Sequence, residues 1–380
     1  MTASEDVQRV PYGEYVYPPI EKVSFGPGSV SELPAEIERL SCKRVFLVGT
    51  SSVANSPLWE QMRERLGDAL VGSFAGVRQH TPAGTVVNTS GEIQQARADI
   101  VVSLGGGSVI DATKAAVLAV ARDTGQFLPH IALPTTLSAA EFSTMFGVTD
   151  EETHRKSGGN SPFVQPQFVI LDVDLARYTP DWLWFASGIR ALDHAVETVY
   201  APNRQPATDA TALHAIRMLF EHLPASAPAP IKHGPGDKQN EVRDQPQYLN
   251  ARQQCQIAAW LSFFGVGNIT LGMSHALGRE IGPRYNVPHG YTSAVLLPHV
   301  MSFLLSETEE PQAAIAAATG AMTRDEAETE LALEAAPRVT DLIGRLGLPQ
   351  RLRDLQVPES DLVALAGGRE EILHVLREAW

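Results

Sequence analysis

Three consecutive glycines constrain this chain more than any other feature. Gly105-Gly106-Gly107, followed by Ser108, stand directly after an apolar, Val-containing run, Asp99–Leu104 (DIVVSL), and directly before a stretch with helical spacing, Val109–Ala121. Without Cβ atoms such a turn bends sharply, lets backbone N–H groups approach an anion, and leaves the positive end of the following helix facing it. Turns of this kind join strand to helix in parallel sheets, where a pyrophosphate is the usual occupant. The same turn also serves plain tight packing. Ser108 and Asp111 have capping-box spacing, and in that reading their side chains fix the helix start without touching a ligand.

The surrounding pattern supports an alternating architecture. Lys43–Val48 (KRVFLV), Ile131–Leu133 and Phe168–Leu171 read as further buried strands, and Leu58–Leu66 reads as a helix between two of them. Beyond Leu175 strand signals stop, and Ala207–Leu223 and Ala313–Leu346 are Ala- and Leu-rich with spacing near 3.6. A chain of 380 residues accommodates two cores of roughly 100–200 residues each. The expected organisation is an α/β, Rossmann-like domain over residues 1–178, then an all-α domain over 179–380. The Pro-, Gly- and charge-rich segment Pro224–Gln247 reads as a mobile surface loop.

Composition removes several function classes. A formal charge of −14 with no long run of Lys and Arg offers no surface for a phosphate backbone, so nucleic acid is not an expected partner. The two cysteines, Cys42 and Cys255, fit neither a disulfide framework nor a thiolate metal site, which points to a reducing compartment. Met1–Pro19 carries Glu5, Asp6, Arg9 and Glu14 in place of a secretory apolar core. Apolar stretches such as Val295–Leu305 fall short of the ~20 residues of a membrane span. These features predict a soluble, cytoplasmic protein with no membrane partner.

Other strand ends add candidate contacts. Thr135 and Thr136 follow the strand ending at Leu133, where neighbouring strand ends open into a crevice, and they either bind cofactor or cap a following helix. Thr50, in Gly49-Thr50-Ser51-Ser52, sits where a carboxylate would hold a ribose 2′-hydroxyl and exclude a 2′-phosphate; none is present, so NAD(H) and NADP(H) both remain open.

In the helical half, Arg190 and His194 lie four residues apart, as do His275 and Arg279, so each pair shares a helix face; His289 follows in Pro288-His289-Gly290. Each histidine alone is an ordinary packed or surface residue, and each arginine can serve an internal ion pair with Asp193, Glu197 or Glu280. Together these residues form a constellation.

Gly105-Gly-Gly-Ser108 with Asp111 and Lys114, Pro134-Thr-Thr136, the segment ending His194-Ala-Val-Glu197, His275, and Pro288-His289-Gly290 occur in an order that resembles the iron-containing alcohol dehydrogenases, over about Phe25–Leu362. The resemblance implies a Rossmann-like domain followed by a helical domain, as in the dehydroquinate synthase-like fold, with nicotinamide cofactor and substrate in the cleft between them, and a homodimer. It also implies a divalent metal held by one aspartate and three histidines. By position His194, His275 and His289 match the histidines, but Arg190 stands where the aspartate belongs. Three histidines alone can hold zinc. The permanent charge of Arg190 opposes a cation there, and Asp193, adjacent to His194 on a helix, points about 100° away. The pattern is thus similar to the metal-independent maleylacetate reductases, which act on a small oxo-dicarboxylate, although Arg279 replaces a second histidine of that pattern.

The expected activity is NAD(P)H-dependent reduction of a small anionic carbonyl compound without a catalytic metal. Arg190 and Arg279 would capture a carboxylate or phosphonate and polarise the carbonyl, and one of the three histidines would supply a proton. Two other readings compete: a metal-dependent alcohol dehydrogenase using His194, His275 and His289, and a fold-retaining lyase, cyclase or binder with no net redox chemistry.

Overall fold

A computed structural model of the protein describes residues 14–227, 245–321 and 328–380. Its strands are β1 (Lys22–Phe25), β2 (Val45–Val48), β3 (Leu70–Phe74), β4 (Ile100–Gly105), β5 (His130–Pro134), β6 (Met145–Thr149), β7 (Lys156–Asn160) and β8 (Phe168–Leu171). Six of them form a parallel sheet in the order β1-β8-β5-β4-β2-β3, and β6 pairs with β7 as an antiparallel hairpin.

The four inner strands are buried along their whole length, which their near-continuous apolar sequences allow and a sheet covered on both faces requires. Successive side chains of β4 serve opposite cores. Ile100, Val102 and Leu104 pack with Leu33, Leu58 and Met62 on one face, while Val101 packs with Val109, Ala112 and Ala116 on the other. The glycine turn is thereby fixed at the end of a central strand.

In the second half, helix Asp181–Val199 is buried continuously from Trp184 to Val199 and forms the centre of an all-helical layer with Pro206–Ala225, Pro246–Phe263 and His289–Leu304. The class is therefore an N-terminal α/β part on a parallel sheet followed by a helical part. Among the described residues no single helix is long and apolar enough to cross a membrane; only Pro246–Asn268 with Met273–Arg284 passes jointly, bent by 104°.

Several sequence expectations need correction. The loop expected over 224–247 does not span that whole range: Pro224 lies in the last turn of helix Pro206–Ala225, and Pro246 opens the next helix, where its missing N–H costs no hydrogen bond. Residues 228–244 of that segment lie outside the described residues. The helical spacing over Ala313–Leu346, punctuated by Pro and Gly, belongs to two helices, Glu309–Ala318 and Glu328–Arg345; the first ends near Gly320, which takes φ +91°. Edge strands β1 and β3 and the β6–β7 hairpin were not expected. Met-Phe-Gly-Val-Thr and Lys-Ser-Gly-Gly-Asn lack both an apolar run and a clean two-residue alternation.

Candidate active site

A cavity of about 830 Å³ lies between the carboxyl ends of the central strands and the helical half. Thr50, Gly106, Gly107, Ser108, Thr135 and Thr136 line it from the sheet side, and Arg190, His194, His275, Arg279 and His289 from the helices. Of the expected site residues only Gly105 is absent from the lining. It ends β4 at φ +155°, where a Cβ would meet the Val109 side chain at 2.6 Å.

The glycine turn opens an 18-residue helix, Gly107–Thr124, whose cap position Gly106 offers no side-chain bond to the first N–H groups. A Cβ on Gly106 would lie 2.8 Å from the Thr136 methyl, and one on Gly107 would lie 3.0 Å from Ser138 Oγ. The bare turn thus lies against the segment after β5. The hydroxyls of Thr136 and Ser138 are buried there without a hydrogen-bond partner among the described residues. An uncapped helix end, a cradle that a Cβ would fill and two orphaned hydroxyls fit a dinucleotide phosphate.

The capping-box reading of Ser108 and Asp111 fails, because Gly106 already occupies the cap. Ser108 Oγ instead accepts from His80 N at 3.2 Å, and Asp111 Oδ2 accepts from Gly147 N at 3.1 Å on the hairpin. Thr135 and Thr136 do not cap a following helix either. The 3-10 turn Ala140–Phe142 has Ala139 at its cap, and the Thr135 carbonyl accepts from Thr179 Oγ1 at 2.6 Å. Thr50 does cap, accepting from Val53 N at 3.2 Å at the start of Ser51–Ala54.

On the helical side the two arginines differ. Arg190 donates from Nη1 to Asp193 Oδ2 at 2.8 Å and to Ser293 Oγ at 3.0 Å, and its Nη2 bonds His275 Nδ1. Ser293 in turn donates to Asp193 Oδ2 at 2.6 Å. Arg190 is therefore committed on both terminal nitrogens, the internal ion pair with Asp193 that its spacing allowed. Arg279 faces the cavity beside Gly158 and makes no ion pair among the described residues. The expected partners Glu197 and Glu280 pair with neither arginine. Glu197 accepts from Gly272 N at 3.0 Å, Ser274 N at 2.8 Å and His275 N at 3.3 Å, closing the start of helix Met273–Arg284 and fixing where His275 projects.

The three histidines border one cavity without converging on a point. His194 and His275 have ring centroids 5.9 Å apart, whereas His289 packs edge-on against His80 at 5.6 Å and approaches Lys156 Nζ with Nε2 at 3.3 Å. Among the described residues no three His, Cys, Asp or Glu side chains gather as a metal-ligand set. Gly290 lets the His289 helix approach closely, since a Cβ there would lie 2.1 Å from the Ala186 carbonyl oxygen.

Burial, followed by the Arg190 charge, holds His194 and His275 well below the usual imidazole range; burial and then the Lys156 charge do so for His289. The same two causes push His80 down to about 4. Burial lowers the Lys156 ammonium, opposed by Asp111. Burial raises the Asp193 carboxyl, opposed by Arg190 and Ser293. All four imidazoles are consequently neutral near pH 7.

Sequence reasoning missed His80 and Lys156. Lys156 comes from the unforeseen hairpin, and its one local signal is the cluster of glycines Gly147, Gly158 and Gly159 around it.

The family model described as iron-containing alcohol dehydrogenase matches residues 19–173, and its companion, the Fe-containing alcohol dehydrogenase family C-terminal model, matches residues 236–369. Maleylacetate reductase 2 of Cupriavidus pinatubonensis is 33% identical over 79% of this chain and 76% of its own length. The chain belongs to the iron-containing alcohol dehydrogenase family.

Within that family it is maleylacetate reductase-like and an NAD(P)-dependent oxidoreductase. The maleylacetate reductase of Rhizobium sp. strain MTP-10005 is 30% identical over 91% of this chain and 88% of its own. The crystal structure of that enzyme gives a TM-score of 0.79 at 28% identity, covering 97% of this chain and 99% of that one. A crystal structure of 1,3-propanediol oxidoreductase gives 0.85 at 27% identity, covering 97% and 100%.

Proposed function

We propose that this protein is an NAD(P)H-dependent reductase of a small anionic carbonyl compound, an oxo acid or similar, working without a catalytic metal. The observation that carries the reading is Arg279, an exposed cation that lines the cavity's edge and makes no ion pair among the described residues. A guanidinium so placed recognises a carboxylate or phosphonate through paired N–H donors. The names of the maleylacetate reductase relatives agree with an acid substrate.

Gly106, Gly107, Ser108, Thr135, Thr136 and Thr50 line the part of the cavity assigned to the dinucleotide, with Gly105 setting the turn. The bound nicotinamide supplies the hydride. Arg190, held by Asp193 and Ser293, orients His275 and adds fixed positive charge near the carbonyl oxygen. His194, His275 and His289, neutral as they stand, hand on the proton that the product oxygen takes up instead of storing it as imidazolium.

The histidines that correspond by position to the family's metal ligands do not fit a divalent ion as arranged. His275 Nδ1 is bonded to Arg190, Lys156 Nζ lies 3.3 Å from His289 Nε2, and two fixed cations adjoin the rings. In this reading the chain divides near residue 178 into a cofactor-binding and a helical substrate domain and works as a cytoplasmic homodimer. The domain division agrees with the end of the sheet at β8, the compartment with the cysteine usage, and the dimer with the family resemblance.

The test is to treat purified protein with a chelator, add NADH or NADPH, and follow absorbance loss against a panel of oxo acids and neutral aldehydes. Turnover of an oxo acid by the metal-stripped protein supports the reading. Activity that appears only when zinc or iron is restored supports the metal-dependent alternative, and stable nucleotide binding with no turnover supports a non-redox role.

A further inference from the structure

The hairpin β6–β7 brings into the cavity a cation that no other feature assigns. Lys156 starts β7 opposite Thr149, and its side chain lies across the hairpin over Gly147. A Cβ on Gly147 would stand 1.9 Å from Lys156 Cε, so the glycine is what opens the path. The side chain is only 11% exposed and ends 3.3 Å from His289 Nε2 and 3.8 Å from Asp111 Oδ2. Asp111 also accepts from Gly147 N at 3.1 Å, so one carboxylate secures both the strand that Lys156 crosses and the ammonium at its end. Asp111 itself lies one turn into the helix that begins at the glycine turn, which links the lysine's position to the cofactor seat.

The neighbouring cations are differently placed. Arg190 has its terminal nitrogens committed to Asp193, Ser293 and His275, and Arg279 is an exposed side chain at the rim. Lys114 is fully buried but spends its ammonium hydrogens on the carbonyls of Ala140, Ser143 and Met145, whereas Lys156, largely buried, has three donor hydrogens and two anchoring neighbours, which leaves a hydrogen for a third partner.

We propose that Lys156, threaded over Gly147 and anchored by Asp111 and His289, is a catalytic residue whose ammonium donates a hydrogen bond to the substrate carbonyl oxygen and stabilises the negative charge that develops on it. This rests on the reductase reading above. In the step, hydride from NAD(P)H forms the new C–H bond, and the C=O π pair moves onto oxygen, leaving an alkoxide and NAD(P)+. The alkoxide then takes one proton, ultimately from water, to give the alcohol, and the ammonium keeps its own hydrogens. Lys156 thereby supplies the fixed positive charge that a metal ion supplies in other active sites.

The test compares wild type with Lys156→Met, Lys156→Arg and Gly147→Ala on an oxo acid that wild type reduces. Lys156→Met is expected to lower kcat about 100- to 1,000-fold, the scale for losing one oxyanion donor. Its KM for the acid and its NADH dissociation constant by fluorescence titration should change less than about threefold. Lys156→Arg should recover part of kcat because it keeps the charge. Gly147→Ala retains the lysine but blocks its path, and should lose kcat while still binding NADH, which reports a folded cofactor site. A wild type that turns over the acid alongside a Lys156→Met with unchanged kcat, or with only a raised KM, overturns the role of Lys156 alone. A wild type inactive on every oxo acid while binding NADH removes the reductase reading and this proposal together.

Discussion

Arg190 and Asp193 form a buried ion pair, Nη1 to Oδ2 at 2.8 Å, on the helix turn that leads to His194. Removing one partner leaves an uncompensated charge in the interior. Arg190→Met should therefore destabilise the protein by about 3–5 kcal/mol, and a double change with Asp193→Asn should recover much of that loss. Urea unfolding of the single and double variants checks it. A single variant within about 1 kcal/mol of wild type would contradict the pairing.

Arg279 behaves differently because it is exposed and its side chain makes no hydrogen bond or ion pair among the described residues. Arg279→Gln should leave the unfolding midpoint unchanged while kcat/KM for an oxo acid falls about 10- to 100-fold, the loss of one charge-assisted contact worth roughly 1.5–3 kcal/mol. Steady-state kinetics with thermal unfolding on the same preparation separates the two effects. An unchanged kcat/KM would mean that the guanidinium does not meet the substrate.

Gly106→Ala places a methyl group 2.8 Å from the Thr136 methyl, against the wall where the dinucleotide phosphate is assigned. Overpacking of this kind costs about 1–3 kcal/mol, so NADH and NADPH should bind about tenfold or more weakly. A fluorescence titration reads this directly, and an unchanged dissociation constant would move the phosphate elsewhere.

His130, buried on β5 with Nε2 2.8 Å from Ser103 Oγ, has its pKa pushed down to about 3 by burial, followed by the Lys114 charge. Below the unfolded value, about 6.5, the unfolded chain binds a proton there that the folded chain does not, so this group costs stability as pH falls from that value toward 3. Between pH 7 and pH 5 the cost is about 2 kcal/mol. His130→Asn should be less stable at pH 7 for want of the imidazole contact, yet lose about 2 kcal/mol less on acidification. Parallel pH dependences for the two proteins would contradict the burial argument.

The central sheet was legible because Val-Phe-Leu-Val, Ile-Val-Val-Ser-Leu and Phe-Val-Ile-Leu are buried on both faces and read as continuous apolar runs. The glycine turn and the Arg190 and His275 helices were legible because local spacing fixes a turn or a helix face. The Arg190–Asp193 pair was likewise open to view at three residues' separation. Contacts set by tertiary packing were not. Glu197 meets the N–H groups of Gly272, Ser274 and His275 across more than 70 residues, and Lys156 reaches His289 across 133. The capping-box reading failed for a related reason: Ser108 and Asp111 have the right spacing, but packing turns them toward His80 and the hairpin.

The central claim, that the cavity reduces an anionic carbonyl compound without a metal, is tested most directly with a matched pair of substrates. Chelator-treated protein is given NADH or NADPH with an oxo acid and, separately, with its methyl ester, and cofactor absorbance is followed. The account predicts cofactor consumption with the acid, with kcat/KM at least about tenfold above that for the ester, from one charge-assisted contact. Equal rates with acid and ester, or turnover that returns only on adding zinc or iron, would contradict it.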